Sequence, residues 1–565
     1  VAYSSNVSGS YEPWAVPVRG GEPRRGAGLP GCAVRQVTWT PDGKEPVFSA
    51  DRGGDERYRL YRVPVEEDGG EPVEISSVGD CRRVPAAAPF DAAGRCWYMR
   101  PTIVIRTSKP LLLNLQEEGE RRFIPPPGVV FEPVGFLRMG DAVGGGFRSH
   151  TDIGCYLIDL TDPVGRPVCV TAEQGCSTRA RGHRILPAFI CPPILGEFTA
   201  AAFCSLAGGT LTPLTGRGGM LGFLPWAETL VWSVNQAGRS ILPAHRNGTP
   251  VALPEPPLGV VTACEAACDG ALAVVLIDAA TRPAEIAVLD LALSHFCYLT
   301  DTRPPALQVI EPAEPEMITY PAGEERHIHA PLTFPTEEGP HRCCCPFTAA
   351  QRLRSAPTAR AGLYQHLLAQ GIAVFTPDIA GSTRYGTAHQ KLIYRNRGGI
   401  DLHDLDHAIR YLHTLPWADA DRIAVAGASY GGFAALSCPA RPYPWAAGVP
   451  ICGPATLFTL AQAAPSTWKT FVTTVLGAPD TDADKFLERS PVTHADHITA
   501  PCMSSKAPAT PRSPTETDHL IQRLRAQGVD VRYGIYPDKG YGFTNRDNEI
   551  KAYKEVAEFL ASKLC

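Results

Sequence analysis

No apolar stretch in this chain is long enough to cross a bilayer as a helix. Ala271 to Leu289 comes nearest and is interrupted by charge, whereas a span needs about 20 apolar residues. Strong charge of either sign is also lacking. The formal balance is -5 over 565 residues, which favours neither nucleic acid nor an anionic membrane as a partner. Metal-spaced cysteines are absent too. There are 18 cysteines, but Cys343, Cys344 and Cys345 are adjacent and the rest are scattered, with no C-x2-C facing a matching second pair. Buried free thiols in a reducing, cytoplasmic compartment are the expectation, with neither metal nor cofactor. The sequons at Asn6 and Asn247 carry weight only in a secreted chain. The first residue is Val1 rather than Met, so residues upstream are expected to be missing, and a cleaved signal peptide stays open.

What is present falls into two rhythms. From about Val34 the chain reads as short strands and turns. Val34–Thr40, Pro46–Ala50 and Tyr58–Val65 are strand patterns, with turns at Pro41-Asp42-Gly43 between the first two and at Glu66–Gly70 after the third. The style recurs at Cys96–Met99, Cys155–Leu160, Trp226–Ser233 and Ala271–Ile277. Units of roughly 40 to 50 residues, each a few strands, suggest a β-propeller of six or seven blades over residues 1–310, with β-sandwiches as the alternative. Pro125-Pro126-Pro127 and Pro254–Pro257 read as loops between blades.

After Glu311 the rhythm changes. Glu316–Pro321 and His327–Leu332 read as outer strands of a new sheet, and strands then alternate with helices. The expected helices are Leu363–Gln370, Asp401–Thr414, Thr515–Gln527 and Asn548–Leu564. The expected strands are Ile372–Thr376, Ala447–Ile451 and Val529–Tyr536. This is an α/β domain over 311–565 with a mostly parallel sheet. Its centre is Arg422–Phe433, an apolar run ending in Gly427-Ala428-Ser429-Tyr430-Gly431 and passing into an Ala-rich helix. Strand, sharp turn and helix put Ser429 at the apex with its hydroxyl exposed, and the glycines at 427 and 431 make room for the turn. Ligand sites in such sheets lie beyond the carboxyl ends of the strands, where Ser429 falls.

The chain resembles the prolyl oligopeptidase family of serine peptidases, nearest to its acylaminoacyl-peptidase-like branch. The resemblance is sharp over 371–565 and loose before it. It rests on Gly381–Gly386, Gly427–Gly432, Gly453-Pro454-Ala455 with Trp468-Lys469, Glu488–Asp496, Arg523–Asp530 and Tyr536–Phe543. The resemblance implies a propeller capping an α/β-hydrolase domain, and a serine-type hydrolase of short peptides or acylated amides and esters acting through Ser429. It implies the backbone N–H of Tyr430 as one oxyanion donor.

The rest of the family's machinery does not match. The base is ordinarily a histidine in a Glu-Gly-His-Gly-Phe-like segment, where this chain has Lys539-Gly540-Tyr541-Gly542-Phe543. Tyrosine as a residue type has a free pKa near about 10, so Tyr541 is a poor proton acceptor at neutral pH. At the position of the family's acid stands Thr510, which cannot stabilise an imidazolium. The counterpart of the family's His-Gly-Gly-Pro segment is Thr348-Ala349-Ala350-Gln351. Substitute bases to weigh are His389, His403, His407, His413, His494, His497, His519 and Lys506. Most of these are expected to be scaffold or surface residues. Asp401, Asp404 and Asp406, with His403 and His407 beside them, read as a solvated helix face rather than a metal site. Met503-Ser504-Ser505-Lys506 stands where a central strand is expected to be apolar. Two functions follow. One is a hydrolase with an apparently broken triad. The other is an inactive pseudo-peptidase that binds a peptide or small ligand between its two domains. A homo-oligomer is left open.

Overall fold

The computed structural model describes residues 1–75 and 231–564 apart from short connecting segments, the longest being 40–44, 64–69, 267–271, 304–311, 336–340, 348–360, 507–514 and 537–542. Between 82 and 230 it describes the strands by their backbone. By their contacts the residues form two compact units. One is Val1–Arg217 with Ala464–Val472 and Asp538–Asp547. The other is Gly218–Ala463 with Thr473–Pro537 and Asn548–Cys565.

Eight sheets are described, of which the first seven in the chain are antiparallel and have three to five strands each. They run in succession from Ala2–Ser5 to His295–Tyr298. Strands that pair mainly with their sequence neighbours need only short connections. In the seventh sheet, Leu272–Ala279 alternates strictly, with every second residue buried. Ala273, Val275 and Ile277 pack with Val231, Val261, Ala287 and Leu289 in one core. The expected strand at Tyr58–Val65 is shorter, Arg59–Arg62. The expected Trp226–Ser233 unit falls on two paired antiparallel strands, Gly219–Trp226 and Thr229–Gln236.

The eighth sheet is of another kind. Its strands are Glu316–Pro321 (β1), His327–Thr333 (β2), His341–Phe347 (β3), Ile372–Phe375 (β4), Ala418–Ala428 (β5), Ala447–Ile451 (β6), Cys502–Lys506 (β7) and Val531–Ile535 (β8). Their spatial order is β1-β2-β4-β3-β5-β6-β7-β8. The pairs β1/β2 and β2/β4 are antiparallel, and all later pairs are parallel. The helices that position the site are Ala361–Ala369 (α1), Ile400–Leu412 (α2), Tyr430–Ser437 (α3), Thr515–Ala526 (α4) and Arg546–Leu564 (α5). Leu367 and Leu368 of α1 and Phe559 and Leu560 of α5 pack on Val374, Ala424, Val449 and Met503 of the sheet. Leu436 of α3 and Leu520, Ile521 and Leu524 of α4 form a second core with Cys502 and Val531. Helices on both faces of a mostly parallel sheet are the α/β architecture expected for this half.

Two expectations are corrected here. The polar run Met503–Lys506 is a strand, paired with β6 at Ile451–Ser505 and with β8 from Cys502–Val531 to Lys506–Ile535. Ser504 and Ser505 are buried. Serine fits because it is small, and because it lies at the carboxyl end of the strand, where these sheets turn polar. The helix carrying Asp401, Asp404 and Asp406 does not present them as a solvated face. Asp401 and Asp404 are both 0 % exposed, and the three carboxylates go to three different partners. Tyr430 Oη donates to Asp401 Oδ2 at 2.6 Å. Arg326 donates to both oxygens of Asp404, at 3.1 and 2.6 Å, and the Ala380 N–H adds a third bond at 2.7 Å. Arg441 pairs with Asp406. Only His403 on this helix remains exposed among the residues at issue.

Candidate active site

Strand β5 ends at Ala428 and α3 begins at Tyr430, so one residue makes the whole turn. Ser429 takes φ 58 and ψ -116, a region a side chain enters only when its surroundings force it. The forcing groups are visible. The Ser429 N–H donates to Ile451 O of β6 at 2.8 Å, and Ser429 O accepts from Phe433 N–H at 2.9 Å. All eight residues of α3 are buried, so the helix cannot swing out to relax the turn. The helix start also lies against the chain leaving β6. A Cβ on Gly432 would stand 2.7 Å from Gly453 Cα and 2.8 Å from Ile451 O, and a Cβ on Gly453 would stand 2.4 Å from Gly432 C. Backbone against backbone leaves no room for a side chain at either position.

Ser429 itself is half-buried, and it stands at the N-terminus of α3, where unpaired N–H groups and the helix dipole favour a negative charge. The backbone of Tyr430 is the first turn of that helix. Its side chain, for which no role was expected, points into the core and reaches Asp401. Burial and the nearby Asp401 carboxylate push the Tyr430 hydroxyl well above the ordinary tyrosine pKa, so it stays a proton donor. The Arg397 guanidinium lies 3.5 Å from the ring centroid, and Phe433 stacks on the ring at 4.9 Å. Arg397 was not singled out in the sequence, and Asp401 was read there only as one of three acids on a solvated helix face.

Tyr541, Thr510 and the segment 348–351 lie outside the described residues. The substitute bases that are described are engaged elsewhere or face solvent. His389 is bonded through Nε2 to Ile379 O, and burial lowers its pKa so that the ring is neutral at pH 7. His407 Nε2 accepts from the Gly323 N–H at 3.1 Å. His494 bonds Glu488 O, and the His497 ring stacks beside it. His403, His413 and His519 are exposed. Lys506 is the last residue of β7, level with Ile535 of β8. In the Gly381–Gly386 motif, Tyr385 Oη donates to Asp378 Oδ2 at 2.6 Å and its ring stacks on His329, which fixes the loop after β4. Among the described residues, no group of three or more His, Cys, Asp or Glu side chains could hold a metal ion. No described helix is long and apolar enough to cross a membrane.

Comparison with known proteins agrees with this geometry. Residues 361–565 match the Prolyl oligopeptidase family. Dipeptidyl aminopeptidase BIII of Pseudoxanthomonas mexicana is 34 % identical over 211 residues, which is 36 % of this chain and 30 % of that protein. Dipeptidyl peptidase family member 6 of Caenorhabditis elegans is 30 % identical over 202 residues, 34 % of this chain and 27 % of that one. The sequence match thus spans less than a third of either relative's length. In three dimensions the similarity extends further. A puromycin-hydrolyzing peptidase of Mycobacterium tuberculosis superposes with a TM-score of 0.79 at 16 % identity, covering 98 % of this chain and 91 % of that one. The acylaminoacyl peptidase of Pyrococcus horikoshii does so with a TM-score of 0.70 at 14 % identity, covering 100 % and 93 %. At such identities the likeness is one of fold. The nucleophile turn, the eight-stranded sheet around it and the sequence match agree: residues 361–565 of this chain are similar to the prolyl oligopeptidase family.

Proposed function

We propose that the chain is a serine-type hydrolase that attacks short peptides or acylated amides and esters through Ser429, at a rate limited by a broken triad. The observation that carries this is the conformation of Ser429, a half-buried serine held at φ 58 on the single-residue turn between β5 and α3. Nothing in packing calls for a serine there, whereas a nucleophile must stand clear of the sheet to meet a carbonyl carbon. The Tyr430 N–H is the oxyanion donor in this reading, assisted by the dipole of α3. The peptidase activities named for the relatives support peptides as the substrate class.

Attack by Ser429 Oγ requires its proton to leave. With Tyr541 at the position of the family's base and Thr510 at that of its acid, efficient transfer at neutral pH is not expected. Losing the orienting acid alone costs about 10⁴ in rate in a triad enzyme, while binding and oxyanion contacts still give about 10³–10⁴ over water. The test is covalent labelling of Ser429 by a fluorophosphonate probe, with Ser429→Ala as control. Slow labelling is expected, accelerated at least 100-fold, on the order of general-base catalysis, by the paired change Tyr541→His with Thr510→Asp. A wild type and a paired variant that both stay unlabelled would overturn the proposal.

A second reading rests on the same two residues. Tyr541 and Thr510 suit a pseudo-peptidase that holds a peptide without cleaving it. Saturable peptide binding with no product, unchanged by Ser429→Ala, would favour it over the first.

The domain reading belongs to the proposal as well. Seven successive antiparallel sheets before residue 299 support seven propeller blades over 1–310, and the change of sheet type at Glu316 supports the hydrolase domain over 311–565. Free thiols at Cys32, Cys264, Cys297, Cys343, Cys438, Cys452 and Cys502 support a reducing compartment such as the cytoplasm.

A further inference from the structure

The segment 397–401 wraps around one side chain. Arg397 lies over the Tyr430 ring at 3.5 Å. Gly398, at φ +77, lets the chain pass close to Phe433, whose Cζ would be 3.3 Å from a Cβ at 398. Asp401 in the first turn of α2 takes the Tyr430 hydroxyl at 2.6 Å. Phe433, one turn along α3, stacks on the same ring. Arg397 is in turn held by its backbone, whose N–H donates to Val475 O at 3.2 Å and whose carbonyl accepts from Arg489 Nη1 at 3.1 Å. Arg397, Asp401 and Tyr430 are 7 %, 0 % and 5 % exposed. A buried tyrosine needs one hydrogen-bond partner. This one is fixed at its hydroxyl, over its ring and beside its ring, by two separate segments of the chain.

Tyr430 is joined by one peptide bond to the strained Ser429, and its own N–H is the one assigned above to the oxyanion. A strained residue persists only where its neighbours over-determine it. We infer that Arg397 and Asp401 are positioning residues. They clamp the Tyr430 side chain and through it hold the Ser429 turn and the Tyr430 N–H in the orientation that receives a developing oxyanion. No bond to substrate is assigned to either. The inference rests on the reading of Ser429 as nucleophile for its rate effect, but not for its effect on the turn.

The test uses the full chain as wild type, Tyr430→Phe, Asp401→Asn and the double variant. Three quantities are read: amide hydrogen exchange of the peptide spanning 424–433, exchange of α5 as an internal reference, and the rate of fluorophosphonate labelling at Ser429. Tyr430→Phe keeps the ring and its stacking and removes only the hydroxyl. It is expected to raise exchange at 429–431 about five- to tenfold, the size of one hydrogen bond, with α5 unchanged. Labelling should slow roughly ten- to a hundredfold, as for a small misplacement at a reacting centre. Asp401→Asn keeps an acceptor oxygen and loses the charge, so it should act in the same direction more weakly, and the double variant should be no worse than Tyr430→Phe, whose missing hydroxyl already ends the shared interaction. Unchanged exchange at 429–431 in Tyr430→Phe, or fully additive single effects, would overturn the clamp. Failure to label in both the wild type and the paired Tyr541→His, Thr510→Asp variant sinks the nucleophile reading and not the clamp, since the exchange comparison still decides the clamp.

Discussion

At Ser429 the physical question is what a side chain costs at a positive φ. Most residues avoid this region because Cβ crowds the following backbone, at about 1–2 kcal/mol. Here the Ile451 carbonyl, the buried α3 and the approach of Gly432 to Gly453 hold the turn regardless. Glycine has no Cβ to crowd. Ser429→Gly is therefore expected to stabilise the fold by about 1 kcal/mol in urea denaturation, while Ser429→Ala, which keeps Cβ, should leave stability near the wild type. Equal stabilities for the two variants would mean the turn stores no strain. This residue was readable in advance because a strand, Gly-x-Ser-x-Gly and a helix occur together in one short stretch. The tightest packing was less so. The sequence pointed to Gly427 and Gly431 for the turn, and not to the backbone-on-backbone contact of Gly432 with Gly453, the second of them on a different loop. Contacts between distant segments leave no trace in local spacing.

The same distinction explains what was and was not legible in the elements. Periodicity located β1, β6, α2, α4 and α5 to within a few residues, because an alternating or 3.6-residue pattern is local. It could not say which face of α2 is buried. Asp401, Asp404 and Asp406 look like a solvated face, and their partners Tyr430, Arg326 and Arg441 lie 29, 78 and 35 residues away in the chain. Likewise Ser504 and Ser505 read as a break in a core strand until β6 and β8 supply backbone partners on both sides. Asp404 gives the sharpest test. It is fully buried, takes both donors of Arg326, and caps the Ala380 N–H in the turn after β4. Removing one partner of a buried ion pair strands the other, at a cost of about 3–5 kcal/mol. Asp404→Ala should show that loss by chemical denaturation, and the double change Arg326→Met with Asp404→Leu should recover part of it. A loss below about 1 kcal/mol would mean that the pair is solvated after all.

On the scale of the whole molecule, the seventh antiparallel sheet and the hydrolase sheet fall in one compact unit although they are of different kinds. Gln365 of α1 shows how they are tied. Its side-chain oxygen accepts from the Ala313 N–H at 3.3 Å, and its Nε2 lies within bonding distance of Ala313 O at 3.1 Å and Ala280 O at 3.3 Å. Ala280 sits in the tight turn between Leu272–Ala279 and Arg282–Asp290, and Ala313 leads into β1. One amide thus joins a hairpin of the last antiparallel sheet, the entry to the new sheet and the first helix that covers it. Each of these bonds is worth about 1 kcal/mol at most in net terms, so Gln365→Ala should cost about 1–2 kcal/mol and leave every strand intact. Its larger effect should be on cooperativity. In the wild type, hydrogen exchange in 272–290 and in α1 is expected to be lost at the same urea concentration, as one unit unfolding together. In Gln365→Ala the hairpin should open first. If the two regions already lose protection separately in the wild type, the amide is a local contact and the antiparallel series ends as a cooperative unit before Glu316.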